Sequence, residues 1–138
     1  MSAIRAAIIG CLLALALAVL SGCGGGTSGP VETSTQRQTV DHLVIGLELP
    51  ERPQLLTEQD VVVTLADSGG APVDATEVWL GLVMPTHRMS PNEPDAAPAG
   101  NGRYRARAIF TMAGTWDLEV HATVRGHAYV ATFHVQTR

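Results

Sequence analysis

The sequence has no lysine. All nine of its cationic side chains are arginines, set against 13 acidic residues for a formal net charge of −4. No basic run occurs, and this argues against nucleic acid as a partner. Cysteine is nearly absent as well. Both cysteines, Cys11 and Cys23, lie within the first 23 residues. The remaining 115 residues therefore offer no disulfide, no thiolate metal ligand and no cysteine nucleophile. The sequence also lacks a Gly-x-Ser-x-Gly elbow, a phosphate-binding Gly-rich loop and a His-Glu-x-x-His pair. With no such arrangement present, the chain reads as a non-enzyme.

Long apolar runs are confined to the start. Ala6 to Leu20 follow a short basic opening that ends at Arg5, and they are too short to span a bilayer comfortably. Leu20-Ser21-Gly22-Cys23 comes next. This resembles the lipobox of bacterial lipoprotein signal peptides, where cleavage precedes the cysteine and its thiol takes a diacylglyceryl group. Residues 1–22 are thus expected to be a signal peptide and Cys23 a lipidated, palmitate-bearing anchor. The resemblance implies a chain held on a bacterial membrane, facing the periplasm or the exterior. Gly24 to Gln38 is rich in Gly, Ser and Thr with little to bury, and reads as a disordered tether. The boundaries expected are therefore 1–22, 23–39 and a folded domain over 40–138.

From Val40 onward the periodicity is two. Leu43, Ile45, Leu47 and Leu49 share one face, as do Val61, Val63 and Leu65, and then Val78, Leu80, Leu82 and Met84. Tyr104, Ala106, Ala108 and Phe110 alternate with Arg103, Arg105 and Arg107, which read as a solvated strand face. Trp116, Leu118, Val120, Ala122 and Val124 alternate with Asp117, Glu119, His121 and Thr123. Tyr129, Ala131, Phe133 and Val135 complete the set. Turn signals separate these runs, among them Asp67 to Pro72 and Asn101-Gly102. No helical periodicity follows Leu20. The expectation is an all-β fold, an immunoglobulin-like antiparallel β-sandwich of about seven strands, with a barrel as the alternative.

The stretch that singles itself out is Val78 to Met89. Apolar strand runs straight into a break at Pro85 and a segment carrying Met84, His87 and Met89. Thioethers are soft ligands that suit Cu(I), and imidazole suits copper and zinc. With Met112 at a later turn, Met84, His87, Met89 and Met112 form a copper-shaped donor set. Each also has a plainer reading. Met84 continues the core face, Met112 sits beside Trp116, and His87 is able simply to bond loop backbone. His121 and His134 face outward on the last two strands and would meet if those strands pair in that register. The loop from Pro85 to Gly102, with four prolines, is longer than most connections. It is the second candidate surface, for docking a protein partner in the cell envelope.

Read together, Gly69-Gly70-Ala71-Pro72-Val73, Met84-Pro85-Thr86-His87, Gly102-Arg103-Tyr104 and Phe110-Thr111-Met112-Ala113-Gly114-Thr115-Trp116 resemble the YtkA-like domain family. That family is similar to FixH-type proteins and to the CopC-like immunoglobulin fold. The likeness covers about Leu43 to Val135. It implies a small β-sandwich of the bacterial envelope with a link to copper or heavy-metal handling. The family's Met-Pro-x-His segment falls on Met84, Pro85 and His87, and its later Met on Met112. Relatives often carry a richer His-Gly-Met stretch after the proline, where this chain has Arg88.

Overall fold

Alternation of apolar and polar residues builds most of the core strands, since successive side chains in an extended chain point to opposite faces. The computed structural model describes residues 31–87 and 92–138. The signal segment, Cys23, residues 24–30 of the tether and Met89 lie outside the described residues. Eight strands run in chain order: β1 (Thr33–Val40), β2 (Leu43–Pro50), β3 (Glu58–Asp67), β4 (Glu77–Val83), β5 (Ala97–Gly100), β6 (Arg103–Ile109), β7 (Gly114–Val124) and β8 (His127–Thr137). All ladders are antiparallel, in one sheet ordered β1-β2-β3-β6-β5 and a second ordered β4-β7-β8.

The inward sets read from the sequence are the core. Leu43, Ile45, Leu47, Val61, Val63, Leu65, Leu80, Tyr104, Phe110, Trp116, Leu118 and Phe133 are all buried between the sheets. Trp116 is the largest of them. It meets Phe110 edge-on, at a centroid distance of 5.5 Å and an interplanar angle of 76°, the arrangement favoured by ring quadrupoles. Its indole N–H donates to the Met112 carbonyl at 3.0 Å. The Tyr104 hydroxyl lies 2.6 Å from the Ala75 amide nitrogen and 3.3 Å from the Ala75 carbonyl oxygen, so it accepts from one and donates to the other.

Asn101-Gly102 turns as its dipeptide predicts, with φ of 53° and 66°, the left-handed pair of a tight hairpin. Glycine is needed at 102 for a second reason. A Cβ there would lie 2.4 Å from the Leu65 carbonyl oxygen.

Two departures from the sequence reading matter. The tether expected over 24–38 ends earlier than expected, because Thr33 onward is strand β1 and the folded part begins before residue 40. Its polar side chains gave no period to read. They work at an edge: Gln36 Nε2 donates to the His134 carbonyl at 3.1 Å, and Gln38 Nε2 donates to the Thr132 carbonyl. The exposed carbonyls of edge strand β8 are thereby satisfied. The second departure lies in the long connection after Pro85. Leu82 N and Leu80 N donate to the carbonyls of Asn92 and Pro94, both at 3.0 Å, and Ala96 N donates to Val78 O at 2.9 Å. The chain thus lines the free edge of β4, then crosses to the other sheet as β5. Eight strands result where about seven were expected.

Candidate functional site

The outer face of the β4-β7-β8 sheet is laid out by register. Trp79 sits opposite His121, Gly81 opposite Glu119, and Val83 opposite Asp117. Beyond them on β8 lie Val130, Thr132 and His134. The Trp79 and His121 rings stack, with centroids 3.6 Å apart and planes at 5°. His121 Nε2 lies 3.0 Å from Glu119 Oε2. Between these groups Gly81 contributes no side chain. A Cβ there would meet Glu119 Oε2 at 3.4 Å and His121 Nε2 at 3.7 Å.

The missing side chain and the segment after Pro85 together leave a cleft of about 240 Å³. Its walls include Trp79, Met84, His87, Glu93, Glu119 and His121. Two of the four sequence-predicted metal ligands therefore open on one cavity. Met84 is 2% exposed and its Cε lies over Gly114, 2.8 Å from where a Cβ would stand. It closes the end of the core and borders the cleft at once. His87 is exposed. Its amide donates to the Met84 carbonyl at 3.0 Å, and its Nδ1 lies 2.9 Å from Thr86 Oγ1. That contact leaves Nε2 as the nitrogen open to a ligand.

Met112 is placed differently. It is half-buried against the core and is not among the residues lining the cleft. Its backbone does the local work, since the Met112 carbonyl also takes the Thr137 hydroxyl at 2.8 Å. Met89 lies outside the described residues. Among the described residues, no three histidine and carboxylate side chains gather closely enough to hold a metal ion by themselves.

His121 and His134 do not face each other. The β7–β8 register sets His134 against Asp117, with Nδ1 2.7 Å from Oδ1, and sets His121 against Val130. Each histidine takes its own carboxylate. His121 joins the cleft through β4, a neighbour relation that sequence spacing alone does not reveal. The alternating arginines of β6 are a solvated, ion-paired face, as read. Arg103 lies 3.6 Å from Glu48 and Arg107 lies 2.7 Å from Glu58. The Glu58 hydrogen bond and charge, with Asp60 adding to them, hold the Arg107 guanidinium above its ordinary pKa.

Among solved structures, the fold is similar to the Lin-41 filamin domain, with 15% identity over 75% of this chain and 91% of that one at a TM-score of 0.50. It is also similar to a DUF4426 family protein from Pseudomonas aeruginosa PAO1, with 14% identity over 74% of this chain and 93% of that one at a TM-score of 0.52. These likenesses bear on the fold and support the immunoglobulin-like sandwich. No curated protein matches in sequence. Residues 37–121 match the YtkA-like family, a span running from β1 to His121 in the wall of the cleft, and the chain belongs to that family.

Proposed function

We propose that this YtkA-like chain is a lipoprotein of the bacterial cell envelope, anchored through Cys23, whose sandwich takes a soft metal ion, copper foremost, at the cleft beside β4. One observation carries the metal reading: Met84, His87 and His121 line the same cavity. A thioether and two imidazoles are donors that suit copper better than hard cations. Met89, two residues beyond His87 in the sequence, is the second sulfur donor in this reading. Met112 is the weakest member of the original set, because it packs on the core side. The protein acts in this reading as a carrier or sensor rather than an enzyme.

The competing reading makes residues 85–102 a docking surface for an envelope protein. Hydrogen bonds already commit residues 92–96 to β4 and β5 to β6, which leaves that reading a shorter free surface. The deciding experiment is a Cu(I) titration of the full chain in detergent against a competing chelator. Wild type is compared with His87→Ala, with Met84→Leu plus Met89→Leu, and with His121→Ala. Met84→Leu keeps the core volume nearly constant. Tight stoichiometric binding that each variant weakens supports the reading. Equal, weak binding by all of them would sink it and turn attention to crosslinking of an envelope partner.

A further inference from the structure

Four of the five large apolar side chains exposed on the described surface gather at one end of the sandwich. Leu56 is 75% exposed, Val31 69%, Val83 45% and Ile109 37%. Strand order puts them at that end, with Ile109 on the outer face of the first sheet beside the β6 arginines and Val83 on the outer face of the second. The Leu56 amide donates to the Phe110 carbonyl at 2.8 Å. Ile109 pairs with Glu58 in the β3–β6 register, and its carbonyl accepts from Asn92 Nδ2 at 3.3 Å. The Asn92 carbonyl in turn accepts from Leu82, next to Val83. Val31 and Thr57 line one groove at the foot of β1. The fifth residue, Val130, stands apart on the outer face beside His121.

Leu56 is the most telling of these. Its φ is +56°, a left-handed conformation that a leucine adopts only at a cost. Strain of this kind, holding an apolar side chain out into solvent, is the sort of outlier that points to use. The chain outside the structure says what that use is. Val31 is the eighth residue after Cys23, so the link to an acylated cysteine spans at most roughly 30 Å. It enters the domain at this same end, where Thr33 lies opposite Pro50.

We infer that this end of the sandwich rests against the membrane, with Leu56, Ile109 and Val31 set into the interfacial layer. The inference rests on the acylation of Cys23 proposed above. Lipid chains hold the molecule to the bilayer, and the apolar end fixes its orientation, the two-signal arrangement that stable anchoring needs. Glu32, Glu48, Glu51, Glu58 and Asp60 share the region with Arg52, Arg107 and Arg138. Acidic groups outnumber the arginines there, so the contact is apolar rather than dependent on anionic lipid. In this orientation the mouth beside Met84 and His87 lies close to the bilayer.

The test uses the full chain carrying Leu56→Cys, Ile109→Cys or Val130→Cys, each labelled with an environment-sensitive fluorophore. The chains are reconstituted in phosphatidylcholine vesicles doped with nitroxide lipid, with and without phosphatidylglycerol. The mass of the N-terminal peptide reports acylation separately. The expected result is an acylated chain quenched about twofold or more at positions 56 and 109, little quenched at 130, and indifferent to phosphatidylglycerol. An acylated chain with no quenching at 56, or with equal quenching at 56 and 130, overturns the orientation and leaves the anchor standing. An unacylated N-terminus overturns the anchor and the orientation with it. Crosslinking between copies through position 56 without vesicles would assign the apolar end to self-association and also overturn the inference.

Discussion

Trp79 and His121 lie ring on ring across the β4–β7 ladder, 3.6 Å between centroids, and Glu119 holds the imidazole from its far edge. A cross-strand aromatic pair of this kind contributes about 0.5–1.5 kcal/mol beyond simple burial. His121→Ala should therefore lower the urea unfolding free energy by roughly 1 kcal/mol. It should also open one face of Trp79 while leaving Trp116 in the core. Acrylamide quenching separates the two tryptophans. A rise in the accessible fraction with the buried fraction unchanged is the expected outcome, and unchanged quenching would mean the stack does not persist in solution.

Gly81 is the floor of the same cleft, and it is an unforced glycine. Its backbone is not left-handed, and a Cβ would sit at ordinary contact distances from Glu119 and His121. Glycine within a strand costs about 0.5–1 kcal/mol relative to alanine. Gly81→Ala is expected to leave stability unchanged or raise it by about 0.5 kcal/mol, while narrowing the cleft and weakening copper binding. The absent side chain at Gly81 leaves the room that the proposed metal ion would occupy. If Gly81→Ala and the wild type bind copper equally, the cleft is not the metal site.

Much of this architecture is legible in the sequence because a two-sided core writes its period plainly. Every inward set from Leu43 to Val135 follows from alternation alone, and the Asn101-Gly102 turn from its dipeptide. What escaped has physical reasons. Strand β1 is Thr-Ser-Thr-Gln-Arg-Gln-Thr-Val and buries almost nothing, so it carries no apolar period. β5, Ala-Pro-Ala-Gly, looks like loop because it is a short edge strand of four residues, where proline is tolerated. The cleft was half legible. Met84 and His87 are close in sequence, whereas His121 joins them through strand order, which spacing does not encode. The register also decided His134, which a plausible pairing of outward histidines would have misplaced.

Tyr104 ties β6 to the segment before β4 through both polar groups of Ala75. Tyr104→Phe keeps the ring in the core and removes only the hydroxyl. A partly buried amide and carbonyl then lose their partner, a loss of about 1–3 kcal/mol. Chemical denaturation should show a lower midpoint with an unchanged slope. A midpoint within error of wild type would mean that water replaces the hydroxyl.

The end of the core near the cleft depends on Gly114, whose φ is +137° and whose missing Cβ gives Met84 Cε its place. A side chain here meets two obstacles, the backbone conformation and the methionine. Gly114→Ala is expected to cost more than about 2 kcal/mol, the combined scale of strain and overpacking. Met84→Ala in the same chain relieves the contact but not the strain, so it should recover part of the loss relative to the sum of the single variants. A double-mutant cycle in urea measures that coupling. Additivity would show that Met84 is free to move away from Gly114, and a thioether that moves so freely would not be held at the cleft wall.

The last prediction concerns β1, which holds its place mainly with polar groups, Val40 being its one residue packed against the core. It pairs with β2 along all eight residues, and Gln36 and Gln38 reach across to the β8 carbonyls. Each such bond is worth about 0.5–1.5 kcal/mol net, so Gln36→Ala with Gln38→Ala should cost about 1–3 kcal/mol. The larger effect is on the edges. Without the glutamines, His134 and Thr132 present unpaired carbonyls, and a chain cut to begin at Val40 also bares the edge of β2. Bare edges template pairing between molecules. The order expected in a light-scattering aggregation assay is therefore wild type slowest, the double variant faster, and the chain beginning at Val40 fastest. Equal rates for all three would mean that β1 is an ornament of the fold, and the original boundary at residue 40 would then describe the functional domain better than the strand does.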